Sequence, residues 1–232
     1  MSSGPRGQPC ARPPVVSCVQ AVQYDVYRLY VKRMENIPVV AATEARNTLP
    51  ALVDAAERGR WPVIDGRSPL VLLSENDGRD LLGDAWMRRR GSTSLTDARA
   101  TWSDFLRSAR ETGCQRLTRR GAPFLLAEWG RLSRALAARY RFHTEVISEP
   151  SGAVSLWSPE LKIFGQGDSY EDAVSDLIDE SQVYIEEWFE ELRHVLNHRD
   201  RAGWVQRLHL LGTDRVALRR TLLEEPVATV DR

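Results

Sequence analysis

The chain has 232 residues, of which 42% are hydrophobic and 28% are charged, a composition typical of soluble globular proteins. Its 32 basic side chains balance its 32 acidic ones, so affinity for nucleic acid would have to come from local patches. Three cysteines (Cys10, Cys18 and Cys114) are too few and too scattered for a disulfide framework or a four-cysteine zinc site. No apolar run approaches the roughly 18 residues that span a bilayer, and no signal peptide is recognisable. We therefore expect a cytoplasmic protein without a membrane partner.

Residues 1–36 are patterned differently from the rest of the chain. The first part is rich in Ser, Gly, Pro and Arg, which is typical of disordered segments. Alternating apolar residues follow, without a matching turn partner. Because Met34 directly precedes the first well-patterned segment, we interpret the stretch before Met34 as translated upstream sequence, and residues 1–36 as a disordered or non-native extension. The alternative is a genuine but flexible extension.

The next hundred or so residues contain an internal repeat, in which residues 40–59 recur as residues 93–113. The polar positions that coincide are Thr43, Glu44 and Arg46 with Thr96, Asp97 and Arg99. The apolar positions that coincide are Leu49, Leu52, Val53 and Ala56 with Trp102, Phe105, Leu106 and Ala109. After a one-residue insertion, residues 66–73 match residues 120–127. Charge, turn and apolar positions agree together, which indicates a duplicated unit.

Each copy predicts the same series of elements. A short strand leads to an N-cap threonine, Thr43 or Thr96, and an amphipathic helix then runs to Gly59 or Gly113. A hairpin of two short strands and a closing helix complete the unit. The predicted hairpin strands are 62–64 with 70–73 and 116–118 with 124–127, and the predicted closing helices are 77–88 and 129–139.

The motif Thr-Glu-Ala-Arg-Asn-x-Leu, followed by Gly-Arg-x-Pro-Leu-Val-Leu-Leu, resembles the prevent-host-death (Phd/YefM) antitoxins. The resemblance defines one unit at 37–90 and a second, looser one at 91–139. Members of that family carry one unit per chain and dimerise through it, so two units in tandem imply a dimer-like body within one polypeptide. The sequence leaves open whether the units also pair between chains as a homodimer. The second copy departs from the pattern at Ala100 and Trp102.

The resemblance implies that the paired units bind palindromic operator DNA through arginines at the helix start and the hairpin. Carried onto this sequence, the DNA-binding residues are Arg46, Asn47, Arg67, Arg99, Arg119 and Arg120. An arginine fork can bind phosphate or a guanine edge, which makes these roles chemically reasonable. The alternative is that Arg46 and Arg99 only cap or salt-bridge their neighbours.

From residue 140 the pattern changes to a strand at 142–147, a turn, and a partner strand at 153–157. Ser169 then begins a long helix as its N-cap, with Asp172 three residues on. The run from Ser155 to Glu180 resembles HicB-type antitoxin domains, which implies a small sheet with one helix packed on it over residues 140–190. Together the units predict an α+β fold.

Residues 191–232 form a helical C-terminal segment. An apolar stripe at its start and centre includes Trp188, Leu192, Trp204 and Leu208, and it could bind a toxin as a helix in a groove. The alternative is that these side chains pack against the neighbouring sheet.

No pattern of catalytic residues is found, so we expect neither an enzyme nor a cofactor. His194 and His198 have the spacing of two zinc ligands on one helix, but no third ligand is evident, and we expect no metal site. We therefore interpret the chain as a type II antitoxin that neutralises a cognate toxin and represses its own operon through operator DNA. The alternatives are an orphan DNA-binding regulator without a toxin and an interaction scaffold.

Overall fold

The computed structural model describes residues 39–87, 91–148 and 152–224. Over these ranges the chain has a mixed α+β fold with a six-stranded sheet and a three-stranded sheet, each covered by helices. The strands are β1 Val39–Ala41, β2 Val63–Asp65, β3 Leu70–Ser74, β4 Ser92–Ser94, β5 Cys114–Arg119, β6 Ala122–Glu128, β7 Glu145–Ser148, β8 Val154–Ser158 and β9 Ile163–Gly167. The α-helices are α1 Ala42–Glu57, α2 Glu75–Leu82, α3 Asp84–Met87, α4 Leu95–Ala100, α5 Trp102–Thr112, α6 Trp129–Arg139, α7 Tyr170–Glu190, α8 Leu196–Arg199, α9 Ala202–His209 and α10 Arg215–Leu222. The predicted N-terminal extension, residues 1–36, lies outside the described residues.

The six-stranded sheet has the order β1-β2-β3-β6-β5-β4. Its central strands β3 and β6 run antiparallel, pairing Leu70 with Glu128 at one end, Leu72 with Leu126 in the middle and Ser74 with Phe124 at the other end. By the sequence repeat, Leu70 corresponds to Phe124 and Leu72 to Leu126. Exchanging the two strands therefore returns the same register, which gives the sheet an approximate two-fold axis at the Leu72–Leu126 pair.

The outer strands repeat their pairings about the same axis. β1 pairs parallel with β2, and β4 pairs parallel with β5. Val63 pairs with Val71 in the first hairpin, and Arg116 pairs with Leu125 in the second. The second pair is one residue further apart in sequence, so the extra residue of the second copy falls in the turn between β5 and β6.

Helices cover both faces of this sheet. On one face, α1, α4 and α5 bury the apolar positions shared by the two copies, among them Leu49, Val53, Phe105 and Leu106. On the other face lie α2, α6 and the segment around Leu210. Burial of both faces explains why β3 and β6 are almost continuously apolar rather than alternating.

The structure corrects the predicted helix starts. Thr43 and Thr96 lie inside their helices, because α1 already begins at Ala42 and α4 at Leu95. The N-cap of α4 is Ser94, whose extended backbone lets its hydroxyl accept from the Asp97 amide at 3.1 Å.

The predicted single helix of the second copy is interrupted at Thr101. Its backbone leaves the helical range (φ −108°, ψ 34°), and its hydroxyl donates to the Asp97 carbonyl at 2.9 Å. The predicted helix at 77–88 is likewise two helices, since Gly83 adopts φ 84° and ends α2. The closing helix of the second copy, Trp129–Arg139, has the predicted bounds.

We call the six-stranded sheet with its covering helices the first body. The antiparallel sheet β7-β8-β9, on which α7 packs, forms the second body together with α10. Ser169 caps α7 as expected and accepts from the Asp172 amide at 3.2 Å. Strand β9 was not predicted, because its two glycines were interpreted as part of a turn. A Cβ at Gly165 would lie 2.4 Å from the Ala173 carbonyl oxygen, so the glycine lets α7 approach the strand backbone directly.

The C-terminal helices connect the two bodies. Val205 and Leu208 of α9 are buried with α7, whereas Leu210 is buried against the six-stranded sheet. The Gln206 side chain donates to the Gly59 carbonyl at 2.9 Å in a buried position. Residues 191–224 therefore contribute to both cores instead of forming a separate segment. Within the described ranges, no helix is both long enough and apolar enough to span a membrane.

Candidate nucleic-acid interface

The helix starts of the two repeat copies meet on the face of the six-stranded sheet that α1, α4 and α5 cover. The Arg46 Nε donates to the Arg99 carbonyl at 2.9 Å, so the corresponding arginines of the two copies are in direct contact. The Trp102 indole donates to the Ala42 carbonyl at 2.7 Å and fixes the second helix against the first. Sequence positions separated by 53 residues are thereby brought to one site.

A shallow open groove of about 290 Å³ lies at this junction, which we call the dyad groove. It is lined by Arg46, Asn47, Leu95, Thr96, Arg99 and Ala100. Three of the predicted DNA-binding residues thus line a single depression. The residues from the first and second copy face each other across it.

Both arginines of the dyad groove are exposed, and no carboxylate of the described chain lies within ion-pair distance of either guanidinium. The nearby Asp97 carboxylate is instead engaged by the Ser94 hydroxyl at 2.7 Å. Arg46 and Arg99 therefore retain cationic hydrogen-bond donors that can bind a phosphate or a base edge.

The two hairpin turns lie beside the same helical layer. Arg67 is exposed in the β2–β3 turn, and this turn is held by α5 because the Arg110 Nε donates to the Ser68 carbonyl at 2.9 Å. Arg120 is exposed in the β5–β6 turn, where its φ of 50° places the side chain at the tip of the hairpin. Each hairpin thus packs on the helix of the other copy.

Arg119 does not belong to the exposed set, which corrects its predicted role in DNA binding. Its guanidinium pairs with Asp54 on α1, and its side chain is only 21% exposed. The hydrogen bond to Asp54 is the main cause that raises the pKa of Arg119 above its ordinary value. An arginine engaged in this way holds the second hairpin on the first helix.

The stripe predicted to bind a toxin lies in or against the core, in agreement with the alternative that its side chains pack on neighbouring elements. Trp188 and Leu208 are buried in the core between α7 and the C-terminal helices, and Leu192 and Trp204 are partly buried against it. The Trp204 indole also donates to the Arg141 carbonyl at 2.7 Å. The stripe packs inward because the small three-stranded sheet covers only part of the apolar surface of α7.

Some of the exposed apolar side chains of the second body lie on its sheet, and others, such as Leu196 and Val216, lie on helices. All four residues of β7 are exposed, with Val146 at 57% and Ile147 at 42%, and Phe164 on β9 is 48% exposed. β7 pairs with β8 on one side, and no other described strand pairs with its opposite edge. The alternation in 142–147 predicts a strand but does not show that this strand is an exposed sheet edge, so the sequence did not indicate this surface.

The two histidines with zinc-like spacing do not share a helix. His194 ends a short 3-10 helix, Val195 is extended, and His198 lies in α8. The His198 Nδ1 is within 2.8 Å of the Tyr184 hydroxyl, which orients it towards α7. No group of three or more potential metal-ligating side chains is found over the described ranges.

His209 is a buried titratable side chain at the junction of the two bodies. Burial, and secondarily the charge of Arg60, lowers the pKa of His209 to about 3, so the ring is neutral at physiological pH. It packs on the Phe189 ring at 4.4 Å between centroids. Its position between α9, α7 and the first body makes it part of the junction of the two bodies.

Comparison with known families places the chain among antitoxins. The model of the PHD_like family, described as antitoxin of toxin-antitoxin, RelE / RelB, TA system, matches residues 89–211. This is more than half of the chain, so the chain belongs to that family of antitoxins. The match covers the second repeat copy and most of the second body, and the first copy lies ahead of it.

Among solved structures, the chain is similar to the crystal structure of an antitoxin part of a proposed toxin/antitoxin system from Syntrophomonas wolfei subsp. wolfei. The two are 13% identical, and the similarity covers 56% of this chain and 95% of the other, with a TM-score of 0.49. We draw no conclusion from a similarity of this size. No curated protein matches the chain.

Proposed function

We propose that this antitoxin represses its own operon by binding operator DNA through the dyad groove and neutralises a cognate toxin through its second body. In this proposal, residues 37–90 and 91–139 are two Phd/YefM-like units, and residues 140–190 are a HicB-like unit. The repeated strand register about the Leu72–Leu126 pair supports the tandem arrangement. The three-stranded sheet with one long helix supports the HicB-like assignment.

The observation that carries the DNA-binding proposal is the contact between Arg46 and Arg99 in one open groove. Two exposed cations without acidic partners, related by an approximate two-fold axis, match the approximate two-fold symmetry of duplex DNA. Arg67 and Arg120 at the hairpin tips add cations beside the same layer, where they would contact flanking phosphates.

The experiment measures binding of the full chain to the duplex upstream of its own gene by fluorescence anisotropy. The double variant Arg46→Ala/Arg99→Ala should lose at least about tenfold in affinity, since two charged contacts are removed. The matched control is Arg107→Ala, an exposed arginine of α5 that pairs within its own helix with Asp104. Equal affinity of the double variant and the wild type would contradict the proposal.

The toxin-binding proposal rests on the edge and face of the small sheet. An exposed edge strand can accept a strand from a partner by backbone hydrogen bonds, and Val146 and Ile147 each offer an exposed apolar side chain, one on either face of the sheet. The adjoining α7 carries eight acidic residues and no Lys or Arg, and α10 pairs with two of them, Glu171 and Asp179. We therefore propose a basic toxin that adds a strand to β7.

The test co-expresses the antitoxin with the product of the neighbouring gene and measures growth. Val146→Glu/Ile147→Glu should lose growth rescue and co-purification while keeping DNA binding. Val216→Glu is the control, because Val216 is a valine on α10 that is even more exposed than Val146 and Ile147. Full rescue by the β7 double variant would exclude this strand as the toxin site.

A further inference from the structure

The two halves of the dyad groove carry the same arginine but differ at the next position. Arg46 corresponds to Arg99, whereas Asn47 corresponds to Ala100, and all four residues line the groove. Asn47 and Ala100 are both exposed, so neither is needed for packing. We propose that the chain binds an asymmetric DNA site in one orientation, with Asn47 reading an adenine in one half-site only. This inference rests on the proposed DNA binding.

The chemistry of the two side chains explains the asymmetry. A carboxamide presents one acceptor and one donor in a plane, which matches the N6 donor and N7 acceptor of adenine in the major groove. The methyl group of Ala100 offers no hydrogen bond and can only contact the methyl group of a thymine. The half-site facing Asn47 is therefore read by hydrogen bonds, and the half-site facing Ala100 is not.

The distance between the two arginines sets the spacing of the half-sites. Recognition helices of helix-turn-helix dimers bind half-sites about one helical turn, roughly 34 Å, apart. Here the Arg46 Nε donates to the backbone carbonyl of Arg99 at 2.9 Å, so the two helix starts lie side by side. We therefore expect adjoining half-sites, with the specific base pairs in one short run.

Because the two halves belong to one polypeptide, every molecule carries the same difference between its two half-site contacts. In a homodimer of identical chains, a change at one position appears in both half-sites. In this chain the two copies are encoded separately, so Asn47 and Ala100 persist together in every molecule. The orientation of the bound protein would place the second body on a defined side of the operator.

The experiment selects binding sites for the full chain from a randomised DNA duplex library and then measures affinities by anisotropy. We expect one short motif with adenine enriched in one half only, and a loss of about 5- to 100-fold when that adenine is replaced. Asn47→Ala should abolish this preference without changing the opposite half. Ala100→Asn should add an adenine preference to the opposite half and make the motif palindromic.

Four outcomes would overturn the inference. A palindromic motif from the wild type, or half-sites separated by a full turn, would contradict it while leaving the proposed DNA binding intact. An adenine preference that survives Asn47→Ala would exclude this residue as its source. Absence of any enriched site would remove both the inference and the proposed DNA binding. Thermal unfolding followed by circular dichroism verifies that both variants are folded.

Discussion

The two halves of the six-stranded sheet agree in the register of their strands and differ most at the tips of their hairpins. Leu72 and Leu126 meet on the two-fold axis, and both are fully buried. At the hairpin tips, by contrast, the first copy has Asp65-Gly66-Arg67 and the second has Arg119-Arg120-Gly121. A one-residue shift of a strand would turn its apolar side chains to the wrong face, so register restricts the buried positions. Exposed positions are free of that restriction and can acquire separate roles.

Buried positions also differ in the size of their side chains, and one of these differences supplies the largest expected effect. Leu49 in the first copy corresponds to Trp102 in the second, whose indole bonds to the Ala42 carbonyl of the first copy. Trp102→Ala should lower the free energy of unfolding by about 3–5 kcal/mol because it removes a large buried side chain. Trp102→Phe should cost about 1 kcal/mol through the lost hydrogen bond. Urea denaturation measures both, and an unchanged Trp102→Ala variant would contradict the packing described.

The first repeat copy also packs against α9, which ends at the buried His209. This histidine should make the free energy of unfolding depend on pH. The folded pKa of His209, about 3, lies below its ordinary value of 6.5, so its contribution is complete above pH 6.5. Stability should fall as the pH drops from 6.5 towards 3, by about 2 kcal/mol at pH 5. Urea denaturation at pH 7.5 and pH 5 should show this loss in the wild type and not in His209→Leu. An equal loss in both proteins would place the pH dependence elsewhere.

The smallest expected effect comes from the contact that each hairpin makes with the other copy. The second hairpin uses the Arg119–Asp54 ion pair, whereas the first is held by a hydrogen bond from Arg110 to the Ser68 carbonyl. Asp54→Asn should lower the melting temperature slightly at low salt and not at about 1 M salt, because salt screens a partly exposed pair.

The control for Asp54→Asn is Asp104→Asn, which removes the exposed partner of Arg107 within α5. It should change the melting temperature even less, since that pair joins no separate elements. A larger effect for Asp104→Asn would show that the hairpin contact does not hold the two copies together.

Sequence periodicity predicted the elements with strong apolar patterns. The bounds of Trp129–Arg139 agree, and Ser169 caps its helix as expected. The break at Thr101 could not be predicted, because a threonine hydroxyl can equally point to solvent or to the preceding turn. The sequence does not predict strand β9, because glycines are unusual in strands. Their presence here is explained by the close approach of α7, which only the fold reveals.

The candidate site was predicted in part. The alignment of Arg46 with Arg99 was visible in the repeat, but their direct contact depends on strand order, which periodicity does not define. Arg119 and Arg120 are neighbours in sequence. Only the position of Asp54 on α1 explains why Arg119 forms an ion pair while Arg120 stays exposed. For Trp188 and Leu208 the sequence left toxin binding and inward packing as alternatives, because an apolar stripe does not reveal which element covers it.

The central claim is that one arginine from each copy contacts the same DNA duplex. The most direct measurement is the salt dependence of affinity for the upstream duplex, compared among the wild type, Arg46→Ala and Arg99→Ala. Each variant should bind more weakly, and the slope of log affinity against log salt should become shallower by about 1 for each arginine removed. An unchanged slope in either variant would mean that this arginine makes no phosphate contact, and the two copies would then not share a nucleic-acid surface.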